Sequence, residues 1–253
     1  MASIIKLAGS PSKISTPILN ISLLNAIAGV PGKRHCLLAD ALRVKNSGVA
    51  PEINAYDLWS QHRVVGPLTR CPDVVTPGSG WNGRKVIEGA GVTNNLLTIQ
   101  NVQFTGDISF AFVANINSAK GGTLLSSPDE NFKIFQNASN YIFIQTNKSG
   151  GNRSFALTAG VRAVIATFNG TTGHTSFYVD NDPDGGTFDP ADGALPLPTV
   201  TSPADCYIMN AGAKEPFSDK LGFALILGVD LAKTEYNDHR NALMGAMISY
   251  YGL

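Results

Sequence analysis

Residues 180 to 193, DNDPDGGTFDPADG, gather five aspartates and three glycines in fourteen positions. Asp180, Asp182 and Asp184, followed by Gly185, reproduce the opening of a calcium-binding loop. In such a loop alternate carboxylates converge on a hard cation and a glycine makes the sharp turn. The twelve-residue version closes on a bidentate acid at its last position. Here that position, 191, is alanine, and Asp192 lies one residue out of register. The preceding Phe177-Tyr-Val179 reads as a strand, whereas an EF-hand loop is flanked by helices. The stretch is expected to be a solvated loop after a strand, with Asp and Gly serving turn geometry. Calcium held by the Asp180–Asp192 loop in another geometry stays open, and no metal, cofactor or ligand-binding residue is assigned.

Other routes to catalysis find no support in residue spacing. Some retaining glucanases align nucleophile, helper and acid on one strand face as E-x-D-x-E, because alternate residues share a face. The five glutamates here are Glu52, Glu88, Glu130, Glu215 and Glu235, and the nearest two are 20 residues apart. Neither G-x-S-x-G nor HExxH occurs. His35, His62, His174 and His239 are scattered, as are Cys36, Cys71 and Cys206, with no C-x-x-C pair to suggest zinc or a disulfide framework. The chain is expected not to be an enzyme. Sugar binding would need aromatic faces beside polar groups. Trp59 and Trp81 are expected in the core, while strand alternation sends about half of positions such as Tyr141, Tyr178 and Tyr207 outward.

Composition narrows the partners. The chain has 253 residues, 43% hydrophobic and 15% charged, with 26 Gly, 14 Pro and zero net charge. Low charge and abundant turn formers point to an all-β protein. No basic stripe exists to neutralise phosphates, so nucleic acid is not an expected partner. The longest apolar-leaning stretch, residues 18 to 30, carries Asn20, Ser22 and Asn25 and falls short of the roughly 20 apolar residues of a membrane span. The N-terminus lacks the pattern of a signal peptide. Sequons at Asn20, Asn137, Asn147, Asn152 and Asn169 then reflect turn composition.

Positioning any site falls to a series of short strands. Ile108-Ser-Phe-Ala-Phe-Val-Ala114 alternates large and small residues, as a strand with one face on a core would. Further strands are expected at Phe132–Ile134, Tyr141–Gln145, Val161–Phe168, Thr175–Val179, Asp205–Met209 and Leu221–Leu227. Asn169-Gly170 marks a tight turn, and Gly121-Gly122 and Gly185-Gly186 mark others. Residues 1 to 53 show no steady period and read as an extended arm, with a short helix near His35–Lys45. This arm either docks on the main domain or reaches a neighbouring subunit. Residues 54 to 253 form the main domain. At its end, apolar residues at three- and four-residue steps (Leu243, Met244, Met247, Ile248, Tyr251) predict a helix over 231–251, stopped by Gly252.

This order resembles the concanavalin A-like lectin/glucanase sandwich in its laminin-G-like form. The resemblance rests on Trp81-Asn-Gly-Arg-Lys-Val-Ile-Glu-Gly89 with Asn95–Ile99, on Phe104-Thr-Gly-Asp-Ile-Ser-Phe-Ala-Phe112, and on Ala163–Gly170 with Ser176–Asp180. Asn181 stands where the last of these has glycine in the family pattern. Asp230–Glu235 fits the family's ending, and Tyr250-Tyr-Gly-Leu253 resembles the close of phage-encoded examples. The resemblance implies an all-β, concanavalin A-like antiparallel jelly roll with an N-terminal extended arm and a short C-terminal helix. It further implies a place in a phage virion, as a capsid-decorating or tail surface protein. The expected function is that of a non-enzymatic structural protein. Its expected partners are other virion proteins and copies of itself, a trimer being one option. A glycan-binding adhesin is the alternative, and a divergent glycan-active enzyme is the third.

Overall fold

The computed structural model describes residues 21–32, 34–39, 43–46, 51–56, 63–65, 72–91, 96–147, 151–180, 182–187, 194–200, 203–211 and 215–253. In chain order the elements begin with α1 (Ile21–Gly29), β1 (Arg34–Leu38), β2 (Arg43–Asn46), β3 (Pro51–Tyr56), β4 (Arg63–Val65), β5 (Asp73–Val75) and β6 (Val86–Glu88). They continue with β7 (Leu97–Val102), β8 (Ile108–Ile116), β9 (Gly122–Ser126), β10 (Phe132–Gln136), β11 (Tyr141–Thr146), β12 (Asn152–Ala156) and β13 (Gly160–Phe168). The last are β14 (Thr175–Val179), β15 (Asp182–Thr187), β16 (Ala204–Ile208), β17 (Lys220–Leu227) and, after a 3-10 turn at Thr234–Tyr236, α2 (Asn237–Tyr251).

These strands make two sheets, and every strand pair is antiparallel. The central sheet runs β15-β14-β13-β8-β17-β6-β5, and the outer sheet runs β12-β11-β10-β9-β16-β7-β4-β3-β2. One edge of β17 is shared: Lys220 and Leu221 pair with β6, and Phe223 to Leu227 pair with β1. The chain is a concanavalin A-like β-sandwich, with an N-terminal segment and a short C-terminal helix added to it.

Two cores lie on either side of the central sheet. Between the sheets sit Phe110, Phe112, Ile134, Ile144, Val164 and Phe168, all fully buried. On the opposite face of the central sheet, α1 and α2 bury Leu23, Ile27, Leu243, Met247, Tyr250 and Tyr251 against Ala111, Val113, Ile165 and Leu225. The alternation in β8 therefore has a different meaning from the one expected. Ile108, Phe110, Phe112, Ala114 and Ile116 face the inter-sheet core, and Ala111 and Val113 lie under helices rather than in water.

β17 serves both cores through a phase change. Leu221 faces the sandwich, yet Phe223, two residues on, faces the helices, because the register shifts between them at Gly222. A strand keeps alternate residues on one face, so an extra residue in one strand swaps the faces beyond it. Gly222 is needed there for a second reason: a Cβ would lie 2.6 Å from Cε1 of Tyr251 and 2.9 Å from Cζ3 of Trp81.

The region expected as a short helix near His35–Lys45 instead contains β1 and β2. Within β1, Cys36 and Leu38 enter the helix-side core and Leu37 the inter-sheet core. That period of two suits a strand buried on both faces, and the open edge of β17 supplies its backbone partners. The helical piece of the arm is instead α1, at Ile21–Gly29, where it lies on α2. Residues 21–32 and 34–39 of the arm thus lie on the chain's own sandwich.

At the other end, Gly252 closes α2 in the left-handed region (φ 70°), its N–H donating to Ile248 O at 2.8 Å. Trp81 to Arg84, part of a stretch likened to an early edge strand, forms a turn that caps this helix. Asn82 Nδ2 and Arg84 Nε both donate to Tyr250 O, at 3.2 and 3.4 Å. No helix among the described residues is long and apolar enough to cross a membrane.

Candidate functional site: the outward face of the outer sheet

The helices cover one sheet, so the outward face of the other is the place to seek a ligand surface. Register sets which side chains share it. On β10 and β11 the residues facing away from the core are Lys133 and Phe135, and Tyr141, Phe143 and Gln145. Phe135 lies directly opposite Phe143 across the strand pair. Their rings stack almost parallel, with centroids 4.8 Å apart and planes 7° apart. Tyr141, two residues before Phe143, tilts toward it at 6.3 Å and is 40% exposed. At the far end of the row the Lys133 ammonium lies over the Phe135 ring, 4.8 Å from its centroid.

A polar pair borders the aromatic row. Lys133 Nζ donates to Glu215 Oε2 at 2.8 Å, and Thr123 Oγ1 donates to the same oxygen at 3.1 Å. The lysine side chain is only 7% exposed, whereas Glu215 is 47% exposed. Backbone bonds hold the acid in place: Thr123 N–H donates to Glu215 O at 2.9 Å, and Glu215 N–H donates to Asn210 Oδ1 at 3.2 Å. The arrangement offers an exposed ring at one end of a row, a stacked ring pair in its middle and a fixed carboxylate at its other end. Those are the elements a sugar ring needs, C–H groups against the aromatic and hydroxyls against the acid.

The residues singled out from sequence fall as follows. Tyr141 belongs to the row. Tyr207 is half-buried on β16, opposite Thr98 and Ser126. Tyr178 is buried under the Arg240 guanidinium, 4.1 Å from its ring. Trp81 is buried edge-on to Tyr251. Trp59, His62 and Cys71 lie outside the described residues. Cys36 and Cys206 are buried free thiols, and burial pushes the Cys206 thiol well up.

In the aspartate stretch, Asp182–Thr187 is the edge strand β15 paired with β14, not a loop, and Gly185-Gly186 lies within it. An edge strand tolerates Pro183 and two glycines because one side of its ladder needs no partner. Asp180, likened to the first ligand of a calcium loop, forms an ion pair with Arg162 at 3.4 Å. Positions 188 to 193 lie outside the described residues. Among the described residues no three of His, Cys, Asp and Glu come together as a metal site would require.

Sequence reasoning missed Lys133, Phe135, Phe143, Thr123 and Glu215 as a group. The one available signal was Tyr-Ile-Phe-Ile-Gln at 141–145, whose alternate residues were certain to share a face. Glu215 is 82 positions from Lys133 and only tertiary structure joins them.

No family model matches this sequence, and no curated protein does. Among solved structures, the sialidase of Trypanosoma rangeli in complex with sialic acid is similar at a TM-score of 0.52 and 10% identity. The match covers 89% of this chain and 37% of that one. The same sialidase with the inhibitor DANA gives 0.51 at 10% identity, covering 89% and 38%. Domain 4 of AbnA, an extracellular arabinanase from Geobacillus stearothermophilus, in complex with arabinotriose, gives 0.49 at 10% identity, covering 81% and 98%. The chain thus spans little more than a third of the sialidases it matches. The likeness corrects one expectation. The chain was read as not being an enzyme, and that exclusion does not stand, because chains sharing this fold include glycan-active enzymes. At this identity the likeness shows the fold alone and carries over no catalytic residue.

Proposed function

We propose that this chain is a glycan-recognising β-sandwich, its sugar site the row Tyr141–Phe143–Phe135 with Lys133 and Glu215. The observation that carries the reading is a row on a sheet face that runs from an exposed aromatic through a stacked ring pair to a held carboxylate. The sialidases of similar fold, solved with sialic acid or DANA, support it only as proteins that handle glycans. The setting we propose is the surface of a phage particle, in a tail or capsid-decorating protein assembled with other virion proteins and copies of itself. The phage-like closing residues, Tyr250 to Leu253, support that setting.

Glycan-array screening followed by calorimetry on the best hit tests the site. Saturable binding is expected, reduced about two- to tenfold in Tyr141→Ala, since loss of one stacked aromatic costs on the order of 0.5–1.5 kcal/mol. The melting temperature should stay unchanged, because the ring is exposed. Binding that survives both Tyr141→Ala and Phe143→Ala at full strength would place the site elsewhere. Chromatography of the bound glycan after incubation reads whether cleavage follows binding.

A further inference from the structure

We infer that the site selects uncharged, hydroxyl-rich sugars over acidic ones, and that the Lys133–Glu215 pair sets this choice; the inference rests on the glycan reading above. The rows of the outward face can be followed strand by strand through the register. One row runs Thr98, Tyr207, Ser126, Lys133, Gln145 and Asn152. The next runs Thr123, Phe135, Phe143 and Ser154. Among the described residues of these two rows Lys133 is the one charged residue, and its ammonium is already engaged. It is 7% exposed, lies over the Phe135 ring and is 2.8 Å from Glu215 Oε2.

The charge that a ligand meets first is therefore the carboxylate. Glu215 is 47% exposed and anchored through its own N–H and C=O. A uronic or sulfated sugar would bring a second anion beside it, and Lys133, enclosed by Glu215 and the ring, is poorly placed to compensate. Like charges so close are mutually unfavourable. A neutral sugar meets no such repulsion. Its hydroxyls donate to the carboxylate in charge-assisted bonds, which are roughly twice as strong as neutral ones. In an oligosaccharide laid along the row, the C–H face of another unit rests on Tyr141 at the opposite end. The pair has no net charge, so binding should depend little on salt.

The full-length protein is screened against neutral oligosaccharides and against uronic and sulfated ones. The affinity is then measured by calorimetry from about 0.05 to about 0.5 M sodium chloride. The wild type is expected to bind neutral glycans with a Kd that moves less than about twofold over that range. Glu215→Gln, which keeps the shape and leaves the lysine uncompensated, should weaken neutral binding by about tenfold. It should also bring acidic glycans into measurable range. Wild-type preference for acidic glycans, with affinity falling steeply in salt, overturns the inference while leaving the glycan reading intact. Unchanged selectivity in Glu215→Gln, with an unchanged melting curve, overturns the role given to the pair. Absence of saturable binding to either class overturns the glycan reading and this inference with it.

Discussion

Ser109 holds together two backbone groups that no strand reaches. Its hydroxyl donates to Val229 O at 2.7 Å and accepts from Leu231 N–H at 2.9 Å, all of it buried. Ser109→Ala leaves both groups unsatisfied in the interior, and urea denaturation should show a loss of about 1–3 kcal/mol. A change below about 0.5 kcal/mol would mean that water replaces the hydroxyl. Nearby, Lys233 donates to Asp107 at 2.6 Å. That hydrogen bond, aided by the charges of Asp107, Asp230 and Glu235 and opposed by burial, raises the Lys233 pKa. A lysine whose pKa is higher folded than unfolded stabilises the fold fully below its ordinary value of about 10.4. That contribution disappears as pH rises through the folded value. The wild type should therefore melt slightly higher than Lys233→Met at neutral pH, by an amount worth less than about 1 kcal/mol for so exposed a pair. The gap should close only above about pH 10.4; a gap that persists there would point to packing of the lysine stem instead.

At the scale of elements, glycines decide where backbones cross. A Cβ at Gly170 would collide with the backbone of Gly106, and Gly170 N–H donates to Asp107 Oδ1 at 3.0 Å. The Asn169-Gly170 turn that joins β13 to β14 is thereby pressed onto the loop before β8. Gly222 does the same for α2, letting Trp81 and Tyr251 meet edge to face, centroids 5.7 Å apart, over a bulge. Gly222→Ala should destabilise by about 1–3 kcal/mol, the range for overpacking a filled core. Near-ultraviolet circular dichroism should report the displaced aromatics, and an unaltered spectrum with an unaltered melt would show that the helix yields at no cost. The strands themselves were legible in sequence: β8, β10, β11, β13, β14, β16 and β17 all fall where alternation and turn residues put them. β1 was not, because a short run buried on both faces carries no contrast to distinguish strand from helix. Nor was β15, whose Pro and Gly content reads as turn until an adjacent strand supplies its partner.

The whole molecule is a sandwich with one sheet doubly covered and one sheet facing outward. Cys36, Leu37 and Leu38 of β1, with Leu23 and Ile27 of α1, are fully buried on or beside the central sheet. Large side chains contribute roughly 1.5–3 kcal/mol each when buried, and a domain's total stability is only about 5–15 kcal/mol. A chain starting at residue 40 should accordingly lack a cooperative thermal transition and bind a hydrophobic dye. A truncated protein that melts like the full chain would show that this segment is dispensable to the fold.

What the sequence determined by itself was local: the positions of β8, β10, β11, β13, β14, β16 and β17, the stop at Gly252, the missing three-carboxylate motif, and Ala191 where a calcium loop needs an acid. These follow from residue type and short spacing, which act through φ/ψ preference and period. Tertiary structure alone decided which sheet face helices cover and which stays outward. It alone brought Glu215 to Lys133, and it alone made Tyr141, Phe143 and Phe135 a surface instead of a core. The reason is that alternation separates the two faces of a strand without saying what lies against either. That is settled only when distant segments compete to bury their apolar sides.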